Sequence, residues 1–181
     1  MIKSGDRLNL SPIGAEFRII RTPEERSSDA LEMEWTLSPR AHGTPEHIHP
    51  HATESYHVLE GQLEYQVDGK WHTLSAGESA SVPPGVPHTF RNPTHGVTRV
   101  HNTHEPAWDI GDYFEDIHRI VESGAVRRDR MTLKAMLYLS TVMVRFTREI
   151  VSTNPPHAVV VASSKLARLL GYSQGFDERP L

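Results

Sequence analysis

Ten of the chain's twelve histidines fall between His42 and His104. Imidazole is the side chain that most often binds metal ions, so the spacing of this cluster carries chemical meaning. In His47-Ile48-His49 both imidazoles face the same side of an extended strand, because side chains two apart point the same way. Glu54 follows five residues later, and His88 ends a block that reads Gly77-Glu-Ser-Ala-Ser-Val-Pro83-Pro-Gly85-Val-Pro-His88. The chain has no cysteine, so any metal must be held by nitrogen and oxygen, and no disulfide framework exists. The histidines form no contiguous run at either end, which sets them apart from a purification tag.

Other residues have competing registers. His51 could replace His49 as half of a His-x-His pair, but only two residues would then separate it from Glu54, leaving little chain in which to turn. His57 has the opposite strand parity to Glu54 and should face away, whereas Tyr56 and Val58 share its parity. Phe90 shares the parity of His88. Tyr56, Val58 and Phe90 are therefore expected inside, as pocket walls or as plain core. His101 lies on an expected strand and reads equally as a pocket acid or base and as a barrel-wall histidine. His72, His95 and His104 read as surface residues near turns.

The elements that must position these groups are mostly strands. Leu31, Met33, Trp35 and Leu37 alternate against Glu32, Glu34 and Thr36, the mark of a strand with one buried face. Strand patterns also cover Glu16–Arg21, two runs within residues 56–67 divided at Glu60-Gly61, Lys70–Leu74, and Val97–His101. Asp68-Gly69 between two such runs predicts a tight hairpin. Many short strands punctuated by Gly and Pro favour a sandwich or jelly-roll barrel over a βαβ fold. After Pro106 the pattern changes. Tyr113, Phe114, Ile117, Ile120 and Val121 form a helical stripe ending at Gly124. A second helix is predicted from about Met131 to Val151, stopped by Pro155-Pro156, and a third, poorer pattern ends near Gly171. The plan is an all-β barrel over residues 1–110 followed by an α-helical tail over 111–181.

Taken together, His47-x-His49-x4-Glu54-x6-Gly61 resembles the first cupin motif, and Gly77-x5-Pro83-x-Gly85-x2-His88-x3-Asn92 resembles the second at every position. The resemblance covers about residues 30–104. One departure exists: the family's leading glycine lies six residues before the first histidine, whereas Gly43 lies four before His47, which affects loop shape rather than ligation. The resemblance implies a double-stranded β-helix, the cupin jelly-roll barrel, with a metal at its mouth held by His47, His49, Glu54 and His88. Three neutral imidazoles and one carboxylate offset most of a dication's desolvation cost and leave coordination positions open. The ion would be one divalent transition metal: Fe, Mn, Ni, Cu or Zn. Residues 54–61 and 77–92, followed by a strand, an acidic turn and a helix, look like single-domain quercetin-dioxygenase-like cupins. That likeness implies a mononuclear dioxygenase acting on a small aromatic or enolic substrate, with Glu54 as base. Two rivals use the same ligands: a non-catalytic module that binds a small ligand and signals through its tail, and a metal-dependent sugar isomerase.

The remaining features bound the partners. A formal net charge of -4 argues against a general nucleic-acid binder. Residues 164–173 faintly resemble the start of a helix-turn-helix, but Gln174–Pro180 is short, acidic and broken, so no recognition helix is expected. No run of 18 apolar residues exists, so no membrane span is expected, and the polar N-terminus points to the cytoplasm. Edge strands and an apolar tail predict a homodimer.

Overall fold

The computed structural model describes residues 2–25, 28–126 and 132–172. Ten strands come first: β1 (Arg7–Leu10), β2 (Ala15–Arg21), β3 (Leu31–Leu37), β4 (Glu46–Ile48), β5 (Thr53–Glu60), β6 (Gln62–Val67), β7 (Lys70–Ser75), β8 (Ser79–Val82), β9 (His88–Arg91) and β10 (Thr98–Glu105). They are followed by α1 (Ile110–Glu122), α2 (Leu133–Arg145), β11 (Val151–Asn154) and α3 (His157–Leu169). Two antiparallel sheets result, ordered β1-β2-β3-β10-β5-β8 and β11-β4-β9-β6-β7.

Alternation builds the core. On β3, Leu31, Met33, Trp35 and Leu37 are all buried while the residues between them are partly exposed. Burying side chains of this size contributes roughly 1.5–3 kcal/mol each. Trp35 joins the two sheets. It stacks on Phe17 of β2 at 4.7 Å between ring centroids and meets Phe90 of β9 at 4.7 Å and Tyr56 of β5 at 5.9 Å. The Asp68-Gly69 turn takes positive φ at both residues, 49° and 75°, and pairs Val67 with Lys70 as a two-residue hairpin requires.

The tail does more than cover the barrel. α1 follows β1, where the backbone N–H of Asn9 donates to His118 Nδ1 at 2.9 Å and the Asn9 side chain donates to Glu122. α2 is capped by Thr132, whose hydroxyl accepts from the Ala135 N–H. This helix ends at Arg145, six residues before the sequence pattern predicts; Met131 lies outside the described residues. The chain then turns through Phe146–Ile150 and extends as β11, pairing Ser152 with His47 on the edge of β4. Val151-Ser-Thr is β-prone, and the waiting edge of β4 decides its conformation. Residues 174–180 of the helix-turn-helix-like segment lie outside the described residues.

Candidate metal centre

β4 and β9 run antiparallel with His47 opposite His88, so two imidazoles distant in sequence share one face. Their ring centroids lie 4.4 Å apart. His49 follows just beyond β4 and keeps the same side, its centroid 5.0 Å from that of His47. Glu54 enters from the opposite sheet near the start of β5. One ligand atom from each of His47, His49, Glu54 and His88 lies within 4.8 Å of every other, and all four residues are buried. Gly43, the glycine out of family position, takes φ +70°, and a Cβ there would fall 1.8 Å from the Phe90 carbonyl oxygen. It lets the loop before β4 press onto β9, beside His88.

The donor set suits a divalent ion. His47 Nδ1–H donates to the Pro45 carbonyl at 2.8 Å, His49 Nδ1–H to the Glu149 carbonyl at 2.7 Å, and His88 Nδ1–H to the Val86 carbonyl at 2.8 Å. Each backbone acceptor fixes the tautomer that leaves Nε2 with a free lone pair, the usual outer arrangement of ligating histidines. Glu54 Oε1 accepts from Asn102 Nδ2 at 2.9 Å, while Oε2 lies 2.8 Å from His88 Nε2 and 3.4 Å from His49 Nε2. Imidazole and carboxylate in this proportion suit most first-row dications.

Burial and mutual proximity set the charges. Burial pushes His47 well below the usual histidine range, reinforced by His88 and His49. Burial opposes charge on Glu54, yet His104, His49 and His88 together hold its carboxyl well below its ordinary value. Burial likewise works against charge on His88, but the bond to Glu54 raises it. Burial, then the Glu54 charge, holds the Tyr56 hydroxyl well above its ordinary value.

The other sequence-named residues divide. Tyr56, Val58 and Phe90 are buried behind the ligands, within the core that includes Trp35. His57 points outward to Ser79, and His51 lies exposed against Trp108. His101 does not line the site. It sits on the outer face of β10, 34% exposed, with Nε2 3.5 Å from a Glu32 oxygen. The inward parity of β10 belongs instead to Thr98, Val100, Asn102 and His104.

That parity corrects the reading of His104 as a surface residue. It is 1% exposed and pairs directly across from Glu54 in the β10–β5 register. Its Nε2 lies 3.3 Å from His49 Nε2 and 3.5 Å from Glu54 Oε1. Burial pushes its pKa down to about 3, with its neighbours His49 and His88 adding to the effect against Glu54, so the ring is neutral. Asn102 was also missed. Both were legible from alternation with Val100, had the strand been carried four residues past His101.

A narrow cleft reaches the cluster, lined by His49, His104, Ala107, Trp108, Arg148 and Glu149 among others. The Arg148 guanidinium lies 3.7 Å over the Trp108 ring, so the turn after α2 and the loop before α1 meet at the mouth. Burial, then Asp109, raises the Glu149 carboxyl.

Comparison with known proteins gives a consistent family. The family profile described as "Cupin domain" (Cupin_2) matches residues 33–104. Quercetin 2,3-dioxygenase of Bacillus subtilis is 28% identical over 90 residues, covering 50% of this chain and 27% of that protein. The HTH-type transcriptional regulator PuuR of Escherichia coli is 27% identical over 106 residues, covering 59% of this chain and 56% of the regulator. The chain thus spans about half the length of one and a quarter of the other. An RmlC-like cupin structure from Shewanella frigidimarina aligns with a TM-score of 0.51 at 23% identity, over 59% of this chain and 88% of that one.

Proposed function

Because residues 33–104 form a cupin domain, we propose that His47, His49, Glu54 and His88 hold one divalent transition-metal ion, iron, manganese, nickel, copper or zinc, at the mouth of a double-stranded β-helix. One observation carries this reading: three buried imidazoles, each with Nδ1 committed to a backbone carbonyl, converge with one carboxylate oxygen. A cluster arranged only for packing has no need of three fixed tautomers. The cupin domain occupies residues 1–110, and residues 111–181 form an extension that closes its mouth and carries the surface for a homodimer.

The chemistry we infer is that of a mononuclear dioxygenase acting on a small aromatic or enolic substrate. Likeness to the Bacillus subtilis quercetin 2,3-dioxygenase supports it. A bound ion would supply Lewis acidity and, for a redox-active metal, dioxygen chemistry. Glu54 keeps its negative charge among the imidazoles and offers Oε2 as a proton acceptor, while Asn102 fixes Oε1. Tyr56, Val58 and Phe90 back the ligands with apolar volume. Trp108 and Arg148 narrow the entrance and limit water.

A second reading is a ligand-binding regulatory module, favoured by the overlap with PuuR across 59% of this chain. Elemental analysis of protein purified without chelator or nickel resin separates the two when followed by oxygen-uptake assays on flavonols and other enolic compounds. Near-stoichiometric iron, manganese, copper or nickel with substrate-dependent oxygen uptake supports the dioxygenase. Stoichiometric zinc without turnover supports the module. Failure to bind any of these metals after reconstitution overturns both.

A further inference from the structure

Among the buried polar groups near the cluster, His104 is the one left without a task. Its Nε2 stands over the edge formed by His49 and Glu54, at 3.3 and 3.5 Å. It differs from the three ligand histidines in the nitrogen that faces away. Theirs are each bonded to a backbone carbonyl, whereas His104 Nδ1 is buried with no hydrogen-bond partner among the described residues. A ligating histidine almost always has that outer partner. His104 also falls outside the group whose donor atoms lie within 4.8 Å of one another.

Its position relative to the cleft is equally specific. His49 and His104 line the cleft, and His47 and His88 do not. Glu149, whose Oε1 is likewise buried without a partner among the described residues, lines the same space. Unsatisfied buried polar atoms around a small cavity indicate a polar guest, because each would otherwise bear its full desolvation cost. Arg148 at the mouth adds a positive charge along the way in.

We propose that His104 donates a hydrogen bond from Nε2 to an oxyanion ligand that enters this cleft and occupies the open coordination position beside His49 and Glu54. The neutral ring has one N–H, and placing it on Nε2 leaves an acceptor, the cheaper group to bury unpaired, at Nδ1. The ligand class is a small molecule presenting a carboxylate, enolate or phenolate oxygen. His104 thus acts as a substrate-contact residue from β10 rather than as a fifth metal ligand. The proposal rests on the metal centre described above.

The test uses full-length protein loaded with cobalt(II), titrated with acetate and followed through the visible absorption bands of the metal. His104→Leu removes the donor, and His104→Gln restores an N–H at similar reach. The expected result is unchanged cobalt stoichiometry and unchanged acetate-free spectra in both variants. Acetate should bind about tenfold or more weaker to His104→Leu, the loss typical of a hydrogen bond to a charged group, with partial recovery in His104→Gln. Equal acetate affinity in wild type and His104→Leu overturns the proposal, as does failure of wild type to bind acetate. Loss of cobalt or altered acetate-free spectra in the variants makes His104 a ligand, which also overturns it while leaving the metal centre intact. Wild-type protein that takes up no cobalt removes the metal centre itself, and this proposal with it.

Discussion

Glu54 is a carboxylate in a place where water cannot reach it, and only its neighbours make that tolerable. Burial alone would neutralise it, yet His88 at 2.8 Å and the nearby His49 and His104 keep it charged. Removing it, or removing His88, leaves the remaining donors too few and wrongly charged for a dication. Glu54→Ala and His88→Ala should each bind metal at least about a hundredfold more weakly, beyond the 10–100-fold typical of losing an outer-sphere partner. Circular dichroism should stay unchanged, and full metal occupancy in both variants would remove the assignment. The same residues set the acid response. His47 and His104 are depressed in the folded state, so the unfolded chain binds protons below about pH 6.5 that the folded chain refuses. Stability of the metal-free protein should therefore fall as pH drops from 6.5 towards 3, by at most about 1.4 kcal/mol per pH unit for each such group. Glu54, depressed below its ordinary value, adds a loss of the same sign below about pH 4.5. His104→Leu should flatten the slope between pH 6.5 and 4.5 in urea titrations. Equal slopes would mean that His104 is not buried as a neutral ring.

At the scale of elements, what could be read in advance was what depends on neighbours in sequence. β3 follows from alternation, the β6–β7 turn from Asp68-Gly69, and the shared face of His47 and His49 from the two-residue period of a strand. What escaped depends on distant pairing. β10 continues to Glu105 because β3 and β5 hold it on both sides, although Asn102-Thr-His-Glu has little strand character of its own. Ending that strand at His101 turned attention to the outward residue and hid Asn102 and His104. β11 was hidden in a helical pattern for the same reason, since β4 induces it. Glycine positions separate the two kinds of constraint in a measurable way. Gly69 and Gly43 have similar φ, 75° and 70°, but a Cβ at Gly69 meets nothing within 4 Å, whereas one at Gly43 strikes the Phe90 backbone. Gly69→Ala should cost about 1 kcal/mol, the conformational penalty alone. Gly43→Ala should cost at least about 3 kcal/mol, because the loop before β4 must move away from β9. It should also weaken metal binding, which Gly69→Ala should not. Equal melting temperatures for the two variants would show that the Gly43 contact carries no load.

On the whole-molecule scale the extension and the barrel share one site. β11 covers the edge of β4, the Glu149 carbonyl orients His49, and Arg148 closes over Trp108. Phe146 anchors this turn, buried with its ring 5.9 Å from Tyr113 of α1. The opposite side of the extension is unfinished. Leu133 and Met136 of α2 and Leu166 and Leu169 of α3 are exposed, Leu169 at 85% and Leu133 at 73%. Scattered exposed apolar residues are ordinary, but several on two packed helices of one small region form a face that favours association. A second copy of the chain would bury it, and the net charge of -4 spread over each chain is too small to prevent the approach. Sedimentation at micromolar concentration should therefore give a dimer mass. Leu166→Asp with Leu169→Asp should shift the protein to monomer while its metal content stays at the wild-type value, since neither residue touches the ligands. A monomer at all concentrations in the wild type would refute this assembly. A dimer that survives the double substitution would move the interface elsewhere, with the open sheet edges at β1, β7 and β8 the next surfaces to test.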